Sequence, residues 1–348
     1  MIISRTPFRI SFFGGGTDYP AWYRKHGGAA LATTISKYCY ITCRWLPPFF
    51  EHKSRVVWRL VELVKENSEI QHPSVRATLQ HLGISRGVEL HHDGDLPART
   101  GLGSSSAFTV GLLNALNGLL GAMSSKMELT RDAIRIEQEL LRENVGSQDQ
   151  TITAHGGFNR MEFGRDGSIQ VNPILLGAQP LAELQDRMLL IYTGLSRTAS
   201  EIAAEQIRAT AHKEAELSRM REMVDEAVRI LQEGRDLDAF GRLLHESWLL
   251  KRSLTSKVST PLVDEVYERA RQAGAVGGKL LGAGGGGFLL LFAALEEQPR
   301  VLAALEGFLH VPFRFETGGS RIIFYEPDGT VPEKGAAVMA GTGAHAER

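Results

Sequence analysis

Cysteine is nearly missing from this sequence. Among 348 residues only Cys39 and Cys43 occur, which excludes a disulfide scaffold and any cysteine-rich zinc module. They alternate with Ile41 and Trp45 along one face of an extended segment, where a bridge within one strand is geometrically poor, so core packing is their expected role. Long apolar runs are missing too: the longest, Phe288 to Leu295, spans eight residues, against the ~20 a membrane-spanning helix needs. Charge of one sign is also lacking, since 39 Lys and Arg stand against 40 Asp and Glu. Without a global basic field, neither nucleic acid nor an anionic membrane is an expected partner, and any anion must be bound locally. The N-terminal stretch, interrupted by Arg5 and Arg9, has no signal-peptide apolar region, so a cytoplasmic location is expected.

What is present is enough for a large core. Hydrophobic residues make up 43% and charged residues 23%, and the length suits two packed domains, expected over 1–185 and 186–348. Phe8, Ile10 and Phe12 alternate before a glycine triplet, and a second extended stretch runs from Ala29 to Trp45. A short helix is expected from Pro73 to Gly83 and a strand over Val88 to His92. Ser125 and Glu128 have capping-box spacing and open a helix carrying Ile134, Glu137 and Leu141. A strand over Met188 to Thr193 precedes a helical region from about Thr198 to Gly234 and a helix over Asp238 to Ser253. Pro261 opens a further helix and Gly274 ends it. Strands and helices intermix without regular βαβ alternation, which predicts an α+β fold. The oligomeric state stays open, a homo-oligomer included.

Three segments carry chemistry. In Pro97-Ala-Arg-Thr-Gly-Leu-Gly-Ser-Ser-Ser-Ala107, a loop feeds straight into an apolar helix; Gly101 and Gly103 let the backbone approach a phosphate, and the helix start favours negative charge. Ser104, Ser105 and Ser106 can cap that helix, bind phosphate oxygens or ligate Mg²⁺. An ordinary serine-capped helix would also use these residues. Glu137, in a helix, precedes Asp149 by twelve residues, so one carboxylate can face a metal and the other an acceptor hydroxyl, the division phosphoryl transfer requires. A solvated helix Glu and a turn Asp remain the alternative. In Arg5-Thr-Pro-Phe-Arg-Ile-Ser-Phe-Phe-Gly-Gly-Gly-Thr-Asp-Tyr-Pro20, the glycines leave room for a ligand, Arg9 could neutralise phosphate and Asp18 could accept sugar hydroxyls, or cap a tight turn. Two familiar glycine motifs fail. Gly278-Lys279 lacks the flanking residues of Walker A, and Gly282, Gly284 and Gly287 lead into a strand where a dinucleotide fingerprint must open a helix.

These segments, with Gly277-Gly-Lys-Leu-Leu-Gly-Ala-Gly-Gly-Gly-Gly-Phe288, resemble in order the three motifs of the galactokinase, homoserine kinase, mevalonate kinase and phosphomevalonate kinase superfamily. The resemblance spans nearly the whole chain. It implies a ribosomal-protein-S5-like N-terminal domain packed on a ferredoxin-like C-terminal domain, with ATP and acceptor between them. By position it implies Asp149 as catalytic residue with Arg9 as its partner, and Ser105 and Glu137 as Mg²⁺ ligands. Pro97, Gly101, Leu102, Gly103, Ser104, Ser105 and Ser106 fall to ATP. Gly15, Gly16, Thr17, Asp18, Tyr19, Gly284, Gly285 and Gly286 fall to the acceptor. Gly15 and Gly16 replace the Glu and His of the galactokinase sugar motif, so sugar contacts must differ.

Within the superfamily, Ser4 to Pro20, His91-His-Asp-Gly-Asp-Leu-Pro-Ala-Arg99 and Glu143-Asn-Val-Gly-Ser-Gln-Asp-Gln150 are similar to bacterial D-glycero-D-manno-heptose 7-phosphate kinases, and fucokinase-type domains share part of the pattern. That likeness implies ATP-dependent phosphorylation of the C1 hydroxyl of a small sugar phosphate, on the route to GDP-heptose for surface glycans. A fucose- or galactose-type sugar 1-kinase is the alternative. A non-catalytic ATP and sugar sensor sits poorly with Arg9, Glu137 and Asp149 together, and a diphosphate decarboxylase with Thr17-Asp18-Tyr19. Lys37, His52, Lys53, Arg55 and Arg197 are cations that could meet a substrate phosphate, or remain solvated. His91-His92 reads as a strand end, because Asp93 alone completes no metal set.

Overall fold

The alternating apolar residues of the first segment build the strand on which the rest is assembled. The computed structural model describes residues 1–194 and 199–327. In chain order come β1 (Ile2–Phe13), α1 (Pro20–His26), β2 (Gly28–Trp45), β3 (Ser54–Val57), β4 (Val61–Val64), α2 (Pro73–His81) and β5 (Val88–Gly94). Next follow α3 (Ser104–Leu119), α4 (Lys126–Ile134), α5 (Gln148–His155), β6 (Phe158–Phe163), β7 (Ile169–Pro173) and α6 (Ala178–Asp186). The second half has β8 (Met188–Tyr192), α7 (Ala199–Ala209), α8 (Glu214–Glu233), α9 (Leu237–Leu254), α10 (Pro261–Gln272), β9 (Gly277–Leu280), β10 (Phe288–Phe292) and α11 (Gln298–Ala304). Three short strands end it: β11 (Leu309–His310), β12 (Phe315–Glu316) and β13 (Arg321–Tyr325).

The strands form two sheets. The larger runs β13-β1-β2-β5-β3-β4, with β12 and β6 also paired to β2 and β7 to β6; the smaller runs β11-β8-β10-β9. β2 is long enough to pair with β6 near its start and β5 near its end while flanking β1 throughout. The smaller sheet lies wholly within 186–348, but β12 and β13 return to the first sheet, so the chain crosses between the two layers again after residue 310.

α3 is apolar around nearly its whole circumference because almost every residue from Ser106 to Leu119 is buried, the pattern of an internal helix. It packs on β1 and β2, and α8 and α9 from the second half also reach β1. Phe12 joins these layers, with ring centroids 5.5 Å from both Phe158 and Phe240 and 6.4 Å from Phe315. Cys39 and Cys43 are not bridged to each other and are buried in the same core.

Two local features shape the cleft. The Ser125–Glu128 capping box starts α4 as expected. The helix then widens to a π turn over Arg135–Leu140, which carries Glu137; such turns often accompany functional sites. Asp149 lies beyond the end of that helix, in the first turn of α5. The helical region before Gly234 breaks at Thr210–His212, and its expected start at Thr198 lies outside the described residues.

Candidate active site

One cleft of about 490 Å³ gathers the ends of these elements, a volume within the usual range for small-molecule sites. At its centre, Arg9 and Asp149 form a fork. Arg9 donates from Nε to Asp149 Oδ1 and from Nη2 to Oδ2, both at 2.8 Å, and from Nη1 to the Gly101 carbonyl at 2.6 Å. Arg9 is only 3% exposed, whereas the Asp149 side chain keeps 25% exposure toward the cleft. A bidentate pair of this kind fixes the carboxylate in orientation as well as position.

The loop ahead of α3 closes over this pair. Gly103 caps α3 with φ of 72°, and a Cβ there would lie 3.0 Å from Arg9 Cγ and 3.4 Å from Asp149 Oδ2. Glycine is thus required by the fork beneath as much as by a phosphate above. Ser104, Ser105 and Ser106 line the cleft beside Gly101 and Gly103, and no side chain caps α3, which leaves its first N–H groups for an anion. Leu102 is fully buried in the core, and Pro97 does not line the cleft.

Glu137 is fully buried. Its Oε2 accepts from Ser106 Oγ at 2.9 Å and from Gln150 Nε2. Ser106 is therefore the hydroxyl on Glu137, while Ser105, matched by position to a metal ligand, lines the cleft. The other oxygen, Oε1, has no hydrogen-bond partner; the nearby Thr109 hydroxyl donates to the Ser105 carbonyl at 3.3 Å. Burial pushes the Glu137 carboxyl up to about 7 against partial relief from the neighbouring polar groups. Glu137 does not itself line the cleft, but its orphan carboxylate oxygen suits a hard cation, for which Ser105 on the cleft wall is a second oxygen donor.

At the other end, Gly15, Gly16, Asp18 and Tyr19 line the cleft. Asp18 is 3% exposed and accepts from the Gly16 amide at 2.9 Å and the Gln148 amide at 3.3 Å. Its carboxylate packs on Gly146, where a Cβ would fall 1.8 Å from Oδ2. Burial first, and then the charge of Asp149, raise its pKa to about 6. Thr17 faces inward, its hydroxyl spent on the Gly14 and Ala29 carbonyls at 2.8 Å each. Of the third glycine motif, Gly282 and Ala283 reach the cleft. Gly284, Gly285 and Gly286 do not: the Gly285 amide donates to the Val258 carbonyl at 2.9 Å. This motif serves close backbone packing, since a Cβ on Gly282 would lie 2.5 Å from Gly101 Cα.

Sequence reasoning missed several residues. Lys251 on α9 and Lys279 on β9 are 8% and 2% exposed and both line the cleft. Lys251 lies on the buried stripe Phe240, Leu244, Ser247, Lys251, Leu254, so a lysine at core spacing was the available signal. An aromatic wall of Trp58, His72, His92 and Phe108 was also missed. The His72 ring stacks on Phe108 with centroids 4.6 Å apart, and Glu62 accepts from Trp58 Nε1 at 2.8 Å and from the His72 amide at 3.1 Å. Burial, then nearby His92, push His72 down to about 4, so the wall is uncharged at neutral pH. Lys37, His52, Lys53 and Arg55 do not line the cleft; Lys53 pairs with Glu66 and Arg55 with Glu89. Arg197 lies outside the described residues.

The sequence profile of the GHMP kinases N terminal domain matches residues 62–157, and that of the GHMP kinases C terminal matches residues 223–310, together more than half of the chain. The chain is 28% identical over 315 residues to the D-glycero-alpha-D-manno-heptose 7-phosphate kinase of Campylobacter jejuni, covering 87% of this chain and 93% of that one. It is 30% identical over 336 residues to the L-fucokinase/L-fucose-1-P guanylyltransferase of Bacteroides fragilis, covering 84% of this chain but 34% of that one. A crystal structure of a D-glycero-D-manno-heptose 1-phosphate kinase from Bacteroides thetaiotaomicron superposes with a TM-score of 0.74 at 24% identity, over 92% of this chain and 98% of that one. That last likeness concerns the fold. Among the described residues no helix is long and apolar enough to cross a membrane.

The buried Asp18 yields a pH-dependent stability. Its folded pKa of about 6 lies above the ordinary aspartate value of 3.8, so the stability tied to its neutral form is full below about pH 4 and is lost as pH rises through about 6. Asp18→Asn suffers no such loss. Chemical denaturation should show the variant gaining on wild type by about 3 kcal/mol between acid and neutral pH. A difference that stays flat with pH would mean that the carboxylate is hydrated in the folded protein.

Proposed function

The chain belongs to the GHMP kinases, and from that premise we propose that it transfers the γ-phosphoryl group of ATP to the anomeric C1 hydroxyl of D-glycero-D-manno-heptose 7-phosphate, giving the 1,7-bisphosphate for GDP-heptose and surface glycan synthesis. The observation that carries this reading is the Arg9–Asp149 fork under the glycine-serine loop, with Asp18 opening into the same cleft. The near full-length likeness to the Campylobacter jejuni enzyme supports the choice of acceptor.

In this reading the nucleotide base lies against Trp58, His72 and Phe108, and the phosphates run along the loop to the free N–H groups of α3. Asp18 accepts hydrogen bonds from acceptor hydroxyls and turns C1 toward Asp149. As the oxygen of the C1 hydroxyl attacks the γ-phosphorus and the bond to the bridging oxygen of ADP breaks, the hydroxyl proton passes to Asp149, which Arg9 holds in place. Arg9 also places positive charge beside the transferring group. Glu137 and Ser105 are the residues that would hold Mg²⁺, whose charge, when bound, offsets that of the phosphate oxygens.

Two measurements test this. Glu137→Gln should raise the Mg²⁺ needed for half-maximal rate by about tenfold or more; an unchanged titration would remove Glu137 from the metal site. In a panel of acceptors followed by phosphorus NMR, heptose 7-phosphate should gain an anomeric phosphate far faster than galactose, fucose or mevalonate. The 30% identity to the Bacteroides fragilis protein makes L-fucose the alternative acceptor. Equal or better kcat/KM with free fucose or galactose would overturn the heptose assignment and leave the kinase standing.

A further inference from the structure

We propose that Lys251 and Lys279 form a subsite for the phosphate that the acceptor already carries. The inference rests on the phosphorylated-sugar reading above and deepens it. Lys251 Nζ donates to the Leu280 carbonyl at 2.9 Å and to the Gly282 carbonyl, and Lys279 Nζ donates to the Phe12 carbonyl at 2.6 Å. An ammonium has three N–H donors. Lys251 therefore keeps one and Lys279 two for a ligand in the cleft that both line.

All the acceptors that hold these ammonium groups are neutral carbonyls, and neither lysine has a carboxylate partner among the described residues. A buried charge without a counter-ion is costly. The charged groups facing the pair are Arg9 from β1, Asp18 from the turn after it and Asp149 from α5. Arg9 is matched by Asp149 through the fork. Asp18 is left against two lysines, so the protonated site has one surplus positive charge. A phosphate monoester supplies the missing negative charge and accepts the spare N–H groups.

The acceptor's phosphate fits better than that of ATP because Lys279 is anchored to the end of β1 at Phe12, next to the Gly15–Asp18 end, and feels Asp18 directly. Specificity would follow. An unphosphorylated sugar would bring no charge to offset the one surplus positive charge of the protonated site, and would leave the lysines' spare N–H groups unused.

Protonation gives a signature that a merely structural lysine lacks. Burial, then Arg9, hold Lys279 down at about 7, and burial, then Lys279 and Arg9, hold Lys251 well below the usual lysine range. Binding a dianion must raise both, so the protein takes up protons. The test is calorimetry of D-glycero-D-manno-heptose 7-phosphate binding at about pH 8, where a phosphate monoester with a second pKa near 6 is already a dianion, in two buffers of different ionisation enthalpy. Wild type should show net proton uptake. Lys279→Met should weaken heptose 7-phosphate binding about tenfold or more while ATP binding holds. Lys279→Arg, permanently charged, should bind it with reduced uptake, which separates the subsite from a folding defect. Unchanged heptose 7-phosphate affinity in Lys279→Met, an equal loss of ATP affinity, or undiminished uptake in Lys279→Arg would overturn the subsite. No wild-type binding of heptose 7-phosphate would overturn the substrate reading, and the subsite with it.

Discussion

The Arg9 guanidinium is the contact on which the site depends. Its backbone amide donates to the Leu102 carbonyl at 3.0 Å, its Nη1 to Gly101 at 2.6 Å, and its remaining donors clasp Asp149. One buried residue thus ties the first strand to the phosphate loop, 92 positions along the chain, and to α5, 140 positions along. Removing one partner of a buried pair like this costs ~3–5 kcal/mol, so stability and chemistry draw on the same bonds. The glycines around it follow from that geometry. Gly103 has no side chain because Arg9 and Asp149 fill the space, and Gly282 has none because Gly101 does.

The second constraint is desolvated charge. Asp18 is held up at about 6 and Glu137 at about 7, while Lys279 is held down at about 7, in each case chiefly by burial. Acids and a base displaced in opposite directions mark a cleft that is electrostatically incomplete when empty. A cation beside Glu137 and an anion beside the lysines would each return a displaced group to its charged form. The fold therefore bears a standing cost at this site that ligands offset.

Much of this was legible in the sequence. The alternation around Phe8, Ile10 and Phe12, the capping box at Ser125 and Pro261 at a helix start are local signals, and each forms where local physics puts it. The fork residues Arg9 and Asp149 were also identifiable, because motif order carries information about distant contacts. What failed was long-range. Nothing local tells that the Ser106 hydroxyl turns inward to Glu137, which sits on a π turn. Gly284 to Gly286 do not line the cleft, and at Gly284 the absent side chain makes room for the Val258 backbone. Lys251 sits at core spacing on α9, but only the packing of α9 against β9 brings its ammonium to the Leu280 carbonyl. The return of β12 and β13 to the first sheet could not be read from segments of two and five residues.

Arg9 and Asp149 should act as one unit in phosphoryl transfer. A double-mutant cycle on kcat, with Arg9→Met, Asp149→Asn and both together in folded protein, measures that directly. Each single change should lower kcat ~10²-fold or more, and the double variant should be little worse than the poorer single, because residues that work as a unit are lost together. Losses that simply multiply, or near-normal kcat in Asp149→Asn, would contradict it.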